Sequence, residues 1–173
     1  MKFKLLLSLI ITYYIYKMEI IILKKGDLLF KPIVSLVLQY PDIISKTTLY
    51  SDNDFLEYAI VCLYKEPKNK TIKLIFNNIE YNVGGVLLCS LYPSSTNYIV
   101  ISYVCIFYGS KTRLKLFKIL ENFGRSNKYE YLEIGVIGYN RVKKWVKKLG
   151  FDYWSTLLFR VDNLFFYETT KKI

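Results

Sequence analysis

The chain has 173 residues, a length that favours one domain with a sizeable core, and 53% of its residues are apolar, which excludes a disordered chain. Its net charge of +11 fits either a solvated basic surface or an anionic partner: nucleic acid, membrane or a phosphorylated ligand. It has no histidine, which excludes His triads, His general bases and His metal ligands, and its three cysteines, Cys62, Cys89 and Cys105, form no CxxC pair, so no metal or redox motif is indicated.

Residues 1–17, MKFKLLLSLIITYYIYK, form an apolar leader. Its apolar run is shorter than the roughly 20 residues of a membrane-spanning helix, and no small-x-small cleavage site follows. An extra strand, a weak anchor and an upstream start are its three readings, with residues 18–173 expected to form a single domain. The thiols sit in apolar runs, where buried reduced cysteine is the rule. That fits a reducing, cytoplasmic compartment.

EIIILK, residues 19–24, is β-branched and predicts a strand. Residues 27–40 predict a helix with Asp27 as N-cap and Pro32 near its first turn, stopped by Pro41. A second helix is expected over roughly 54–65, ended by Pro67. TIKLIF and IEYNV flank Asn77-Asn78 as a hairpin, and GGVLLCSLY is a further strand or the continuation of one. Residues 97–107, NYIVISYVCIF, suit a sheet centre.

Tyr108-Gly109-Ser110 breaks that strand and a helix follows. Leu114, Phe117, Leu120 and Phe123 mark its buried face, and Gly124 its C-terminal cap. YEYLEIGVI, 129–137, is the next strand. In NRVKKWVKKLGF, 140–151, Val142, Trp145, Val146 and Leu149 form an apolar stripe at i, i+3, i+4 and i+7. Asn140 suits its N-cap and Gly150 the left-handed residue after its end. One or two strands finish the chain over 153–168. The basic residues of this helix are accounted for as its solvent face, so they do not by themselves indicate nucleic acid.

IGYNRVKKWVKKLGF, between two strands, resembles the end of the GCN5-related N-acetyltransferase (GNAT) family, and its KWVKKLGF ending is similar to acetyltransferase-related proteins of tailed phages. YVCIFYGSKTRLKLFKIL, 103–120, lies where that family has its cofactor segment. The resemblance implies a mixed α/β (α+β) fold: a central, mostly antiparallel, splayed mixed sheet flanked by helices. It implies acetyl-CoA as acyl donor and an amine of a small molecule or protein as acceptor.

Carried onto this chain, the resemblance places pantetheine along Tyr103, Val104, Cys105 and Ile106. It places pyrophosphate at Tyr108, Gly109, Ser110, Lys111, Thr112 and Arg113, where backbone N–H groups at a helix start converge on anionic oxygen. Only Gly109 matches a family glycine. Lys111 stands where the next would be, and Arg113 where a third small residue is expected; both add charge and both crowd the loop.

The family's tyrosine acid falls on Val146, which has no proton to donate. Its asparagine falls on Tyr139, with Asn140 offset by one, so Tyr139 or Asn140 is the candidate to meet the thioester. Glu80 and Glu133 are the candidate bases, each more simply read as an outward strand charge. Two other readings stand beside the enzyme: a catalytically silent GNAT-fold binding or virion-associated protein, and a basic nucleic-acid-binding module.

Overall fold

The structure, a computed structural model, describes residues 9–11, 18–40, 55–91, 97–137, 140–151, 153–154, 159–161 and 164–173. The strands are β1 (Leu9–Ile11), β2 (Met18–Lys24), β3 (Leu56–Tyr64), β4 (Ile72–Phe76), β5 (Ile79–Ser90), β6 (Tyr98–Ile106), β7 (Tyr131–Ile137), β8 (Tyr153–Trp154), β9 (Phe159–Val161) and β10 (Leu164–Lys172). The helices are α1 (Phe30–Leu38), α2 (Ser110–Ser126) and α3 (Asn140–Lys148). No described helix is long and apolar enough to cross a membrane.

The strands form one sheet in the order β1-β2-β3-β5-β6-β7-β10-β8, with β4 added to β5 and β9 to β10. Every described pair is antiparallel except β6 with β7. That parallel pair needs a crossover, which α2 supplies. The sheet is mixed and mostly antiparallel with helices on both faces, as the resemblance implies.

Period-two alternation sorts the side chains into two cores. Ile20, Ile22, Ile60, Cys62, Leu87, Cys89, Ile99 and Ile101 meet Leu116, Phe117, Leu120 and Phe123 of α2 and Val146 of α3. On the other face Ile21, Leu23, Ala59, Val61, Val86 and Leu88 meet Phe30, Ile33, Leu36 and Val37 of α1.

The helix expected over 54–65 is a strand. LEYAIVCLY is apolar on both sides, and a continuous apolar run has no period that separates a helix from a buried strand. Between β2 and β5, β3 sends Ile60 and Cys62 to one core and Ala59 and Val61 to the other. Residues 9–11 of the leader pair with Ile20–Ile22 at the sheet edge.

Asp27 does not cap α1. Its Oδ2 accepts the Lys24 N–H at 2.7 Å and closes the turn after β2, leaving Leu29 at the helix cap. Asn77 and Asn78 have φ of 49° and 60°, the two left-handed residues of a type I′ hairpin turn. Leu114 is 54% exposed, so the buried face of α2 is centred on Leu116, Phe117 and Leu120 instead.

Gly124 lies inside α2, which continues to Ser126. A Cβ at Gly124 would meet Ile173 Cδ1 at 2.5 Å, so this glycine serves close packing, and Lys128, with φ 63°, takes the left-handed conformation past the helix end. Gly150 has φ 90°, the expected left-handed residue after α3. Lys171 of β10 ties the helices together: its Nζ donates to Glu121 of α2, and to the Leu149 carbonyl at 2.6 Å.

Candidate functional site

The β6–β7 ladder runs from Tyr98↔Tyr131 to Ile101↔Ile134 and stops there, although β6 continues to Ile106 and β7 to Ile137. The cause lies on the other flank of β6. Cys89 pairs with Ile101 and Leu88 with Tyr103, so Ser102 is an extra residue, a β-bulge. A bulge bends its strand and increases the local twist. From that residue β6 follows β5, staying paired out to Gly85↔Ile106, and parts from β7. The result is a fork whose apex lies at Ile101 and Ile134.

The bulge is anchored by a buried hydroxyl pair, Ser90 Oγ with Ser102 Oγ. Ser102→Ala or Ser90→Ala, which strands the other hydroxyl, is expected to cost about 1–2 kcal/mol, and the double substitution no more than either single one. Urea unfolding of the three variants measures this, and fully additive costs would contradict it.

At the open end of the fork the Phe107 and Tyr108 N–H groups both donate to the Gly84 carbonyl, at 2.9 and 3.0 Å. Gly109 follows at φ 75°, ψ 139°, and α2 begins at Ser110. The first turn of α2 is fastened to the sheet: the Thr112 and Tyr64 hydroxyls are 2.8 Å apart, and the Tyr64 ring stands edge-on to Tyr108, centroids 5.2 Å apart. This needs two glycines beneath it. A Cβ on Gly84 would lie 2.3 Å from Tyr64 Cε2, and one on Gly85 would lie 3.0–3.1 Å from Thr112, Ile106 and Leu116.

Along the last part of β6, Tyr103, Cys105 and Phe107 face the α1 core, while Val104 and Ile106 face α2. Thr112 is fully buried and turned into the sheet, whereas Lys111 is exposed. Arg113 carries its guanidinium over the Trp145 ring, 4.8 Å from the centroid. Asn140 opens α3, and Tyr139 lies outside the described residues.

The two candidate bases are far apart. Glu133 pairs with Val100 of β6, one position before the apex, on the face opposite Leu132 and Ile134. Glu80 sits in the exposed β4–β5 hairpin, in a 3.2 Å ion pair with Lys73. Val100 faces Ser90, and ten residues of β5 separate Ser90 from Glu80, about 33 Å at about 3.3 Å per residue. One reacting atom cannot be served by both. Val146 is fully buried and packs in the core.

Burial pushes the Cys62, Cys89 and Cys105 thiols up to about 12. They are neutral thiols at neutral pH, which removes them as nucleophiles. Burial also raises Tyr64, against the opposing Thr112 hydrogen bond.

Folded thiol values above the unfolded value of about 8.5 mean that their stabilisation is full below that pH and lost as pH rises toward 12. Urea midpoints are therefore expected to fall steadily between about pH 8 and pH 10, less steeply in Cys89→Ala. A flat profile would contradict the burial of these groups.

Ser102 and the pair Gly84-Gly85 were not among the sequence-derived site residues. The glycine pair carried a usable signal, because adjacent glycines within a strand mark a close approach. The bulge carried none, since which residue is extra depends on the register of β5.

No family model matches the sequence, and no curated protein matches it. Solved structures do. An N-acetyltransferase from Staphylococcus aureus Mu50 superposes with a TM-score of 0.59 at 16% identity, over 90% of this chain and 97% of that one. The AHL synthase LasI gives 0.59 at 12% identity, over 90% and 89%. A putative streptothricin acetyltransferase from Bacillus anthracis, solved with acetyl coenzyme A, gives 0.51 at 10% identity, over 72% and 69%.

The fold is that of the GCN5-related N-acetyltransferases. In this GNAT-fold chain the end of β6, the turn at Gly109 and the first turns of α2 make up the segment 103–120 that the resemblance singles out. The helix 54–65 was the expected element that this fold did not contain here. At these identities the likeness establishes architecture, and chemistry must be argued from the residues.

Proposed function

We propose that the protein is an N-acetyltransferase that takes its acyl group from acetyl-CoA and gives it to an amine of a small molecule or a protein. The observation that carries this is the fork: the β6–β7 ladder ends at Ile101/Ile134 beside a glycine turn with φ 75° that starts α2. An extended chain fits such an edge as an added strand, and a helix start suits anionic oxygen. On this reading Tyr103, Val104, Cys105 and Ile106 flank the pantetheine arm, and the turn from Tyr108 to Arg113 receives the diphosphate. The donor, when bound, supplies an activated thioester carbonyl and a thiol leaving group.

The chain's own part is to position, to desolvate and to move protons. Glu133, next to the apex, is the stronger candidate to draw a proton from the acceptor amine, directly or through a water. Glu80 is the weaker, being placed on a distant hairpin. Tyr139 or Asn140 is assigned to the thioester. An expected Glu133→Gln phenotype is a kcat loss of about a hundredfold that shrinks as pH rises and the free amine becomes more abundant.

The silent-protein reading has specific support in the buried Val146, where the family carries its acid, and in Lys111 and Arg113 at positions of small residues. Calorimetry with acetyl-CoA and coenzyme A, followed by thiol release in the presence of an amine panel, separates the readings. Binding with turnover supports the enzyme. Binding without turnover on any amine supports the silent protein. Neither heat nor a thermal shift at millimolar ligand would sink the enzyme and leave the silent protein and the partner of an anionic polymer as the remaining readings.

A further inference from the structure

α2 and α3 run side by side in the same direction: Trp145 meets Arg113 and Phe117, and Lys171 joins Glu121 to the Leu149 carbonyl at the end of α3. Together they form one layer over the sheet, with Leu116, Phe117, Leu120, Val146 and Leu149 turned into the core. Each helix carries five Lys or Arg, and the only acid between them is Glu121. The layer therefore holds a net +9 of the chain's +11, and the rest of the chain is close to balance. α1, on the opposite face, has a single charge, Lys31.

A lysine-rich composition does not by itself concentrate charge on one layer, and helix stability accounts for only part of it. Lys147 and Lys148 suit the negative end of α3. Neither helix, however, has an acid in its first turn, and Lys111, Arg113, Arg141 and Lys143 stand there against the positive end of the dipole. Glu121 is taken up by Lys171 and Arg125. Lys118, Lys128, Lys144, Lys147 and Lys148 are all exposed. Like charges crowded on one face repel, and an anionic partner relieves that repulsion.

The shape narrows the partner. The layer is a strip about 25 Å long and two helices wide. A nucleic-acid duplex presents a phosphate about every 1.7 Å along its axis, so the strip meets several at once. A membrane surface fits less well. Interfacial helices embed an apolar face, whereas here those faces are buried in the core. Leu114 is the one large apolar side chain exposed on this layer among the described residues.

We propose that the outer face of α2 and α3 docks on the sugar–phosphate backbone of a nucleic acid, without reading base sequence and apart from the turn at Gly109. The inference does not rest on the donor site; it gives the chain a second anionic partner on a separate surface.

Fluorescence anisotropy with a short labelled duplex DNA, and with duplex RNA of the same sequence, tests it on the wild type and on two triple variants that lose equal charge. The layer variant combines Lys118→Gln, Lys147→Gln and Lys148→Gln. The control combines Lys24→Gln, Lys31→Gln and Lys70→Gln, exposed lysines elsewhere. Wild-type affinity is expected to fall steeply with salt. The layer variant should bind about ten- to a hundredfold more weakly at low salt, and its slope of log affinity against log salt should be shallower by about one for each lysine removed. The control should stay close to the wild type.

An unchanged affinity in the layer variant, or an equal loss in the control, overturns the surface. Saturating coenzyme A is expected to leave the complex intact; displacement would put the nucleic acid in the donor turn and overturn a separate site. Vesicles of phosphatidylserine and phosphatidylcholine are the third ligand, and tighter binding to them than to duplex, lost in the layer variant, would reassign the face to a membrane. A wild type that binds duplex but no coenzyme A removes the proposed enzyme and leaves this surface standing. Thermal unfolding checks that each variant is folded; if the layer variant is not, Lys147→Gln with Lys148→Gln carries the same comparison.

Discussion

Gly84→Val is expected to lower the unfolding free energy by about 2–4 kcal/mol and, on the proposed function, to weaken donor binding with it. The new Cβ would fall 2.3 Å from Tyr64 Cε2 and 2.9 Å from Cδ2, so the ring must swing away. That breaks the hydroxyl bond to Thr112 and the edge contact with Tyr108. Thr112 is fully buried, and a buried hydroxyl left without a partner costs about 1–3 kcal/mol; loss of the aromatic pair adds about 0.5–1.5. Against a total stability of about 5–15 kcal/mol this is a large fraction.

The cause is checked by a double-mutant cycle. In a Tyr64→Ala background the obstructing ring is gone, and Gly84→Val should cost about 1 kcal/mol or less. The same cost in both backgrounds would show that Tyr64 is not what the glycine accommodates. Donor affinity, measured in parallel, reports whether the first turn of α2 has moved.

Gly109→Ala is expected to cost about 1–3 kcal/mol, from backbone strain and not from crowding. The nearest atom to a Cβ there is Thr112 Oγ1 at 3.8 Å, an ordinary contact, but φ of 75° with ψ of 139° is a region that L-residues avoid. Relief of that strain must rotate the peptide that leads into α2. On the proposed function this lowers coenzyme A affinity at least about tenfold.

Gly26 provides the control. It has φ 105° and nothing within 4 Å of a Cβ, but it lies in the turn between β2 and α1. Gly26→Ala should cost comparable stability and leave coenzyme A affinity unchanged. If both substitutions weaken the ligand alike, the effect is general destabilisation and the turn at Gly109 has no special part in binding.

The elements the sequence made legible are those whose signal is local. Asn77-Asn78 specifies a hairpin because two successive residues tolerate positive φ, and both adopt it. Gly150 marks the end of α3 for the same reason. The i, i+3, i+4, i+7 stripe places Val146 and Leu149 in the core. Strand, break and helix over β6, Gly109 and α2 were legible in succession, and β6 parts from β7 along the stretch Tyr103–Ile106 that the family resemblance singled out.

Where reading failed, the missing information was held by distant residues. LEYAIVCLY reads as a helix until β2 and β5 are placed on its two sides. Leu114 looks like a member of the apolar stripe until Gly85 and Tyr64 set how α2 is rolled on the sheet. Gly124 looks like a cap until Ile173, nearly fifty residues later, packs against it.

Composition and local pattern, then, determined that this chain would lack histidine chemistry, with turns at its asparagines and glycines and a basic helix packed through one stripe. Those properties depend on side-chain type and on neighbours within a few positions, where backbone sterics and periodicity act. Only the tertiary structure decided that Ser102 is the extra residue of β6, that β6 and β7 therefore part at Ile101 and Ile134, and that Arg113 rests on Trp145. Each of these depends on which strand edge or helix face meets which, and that choice belongs to the whole packed sheet.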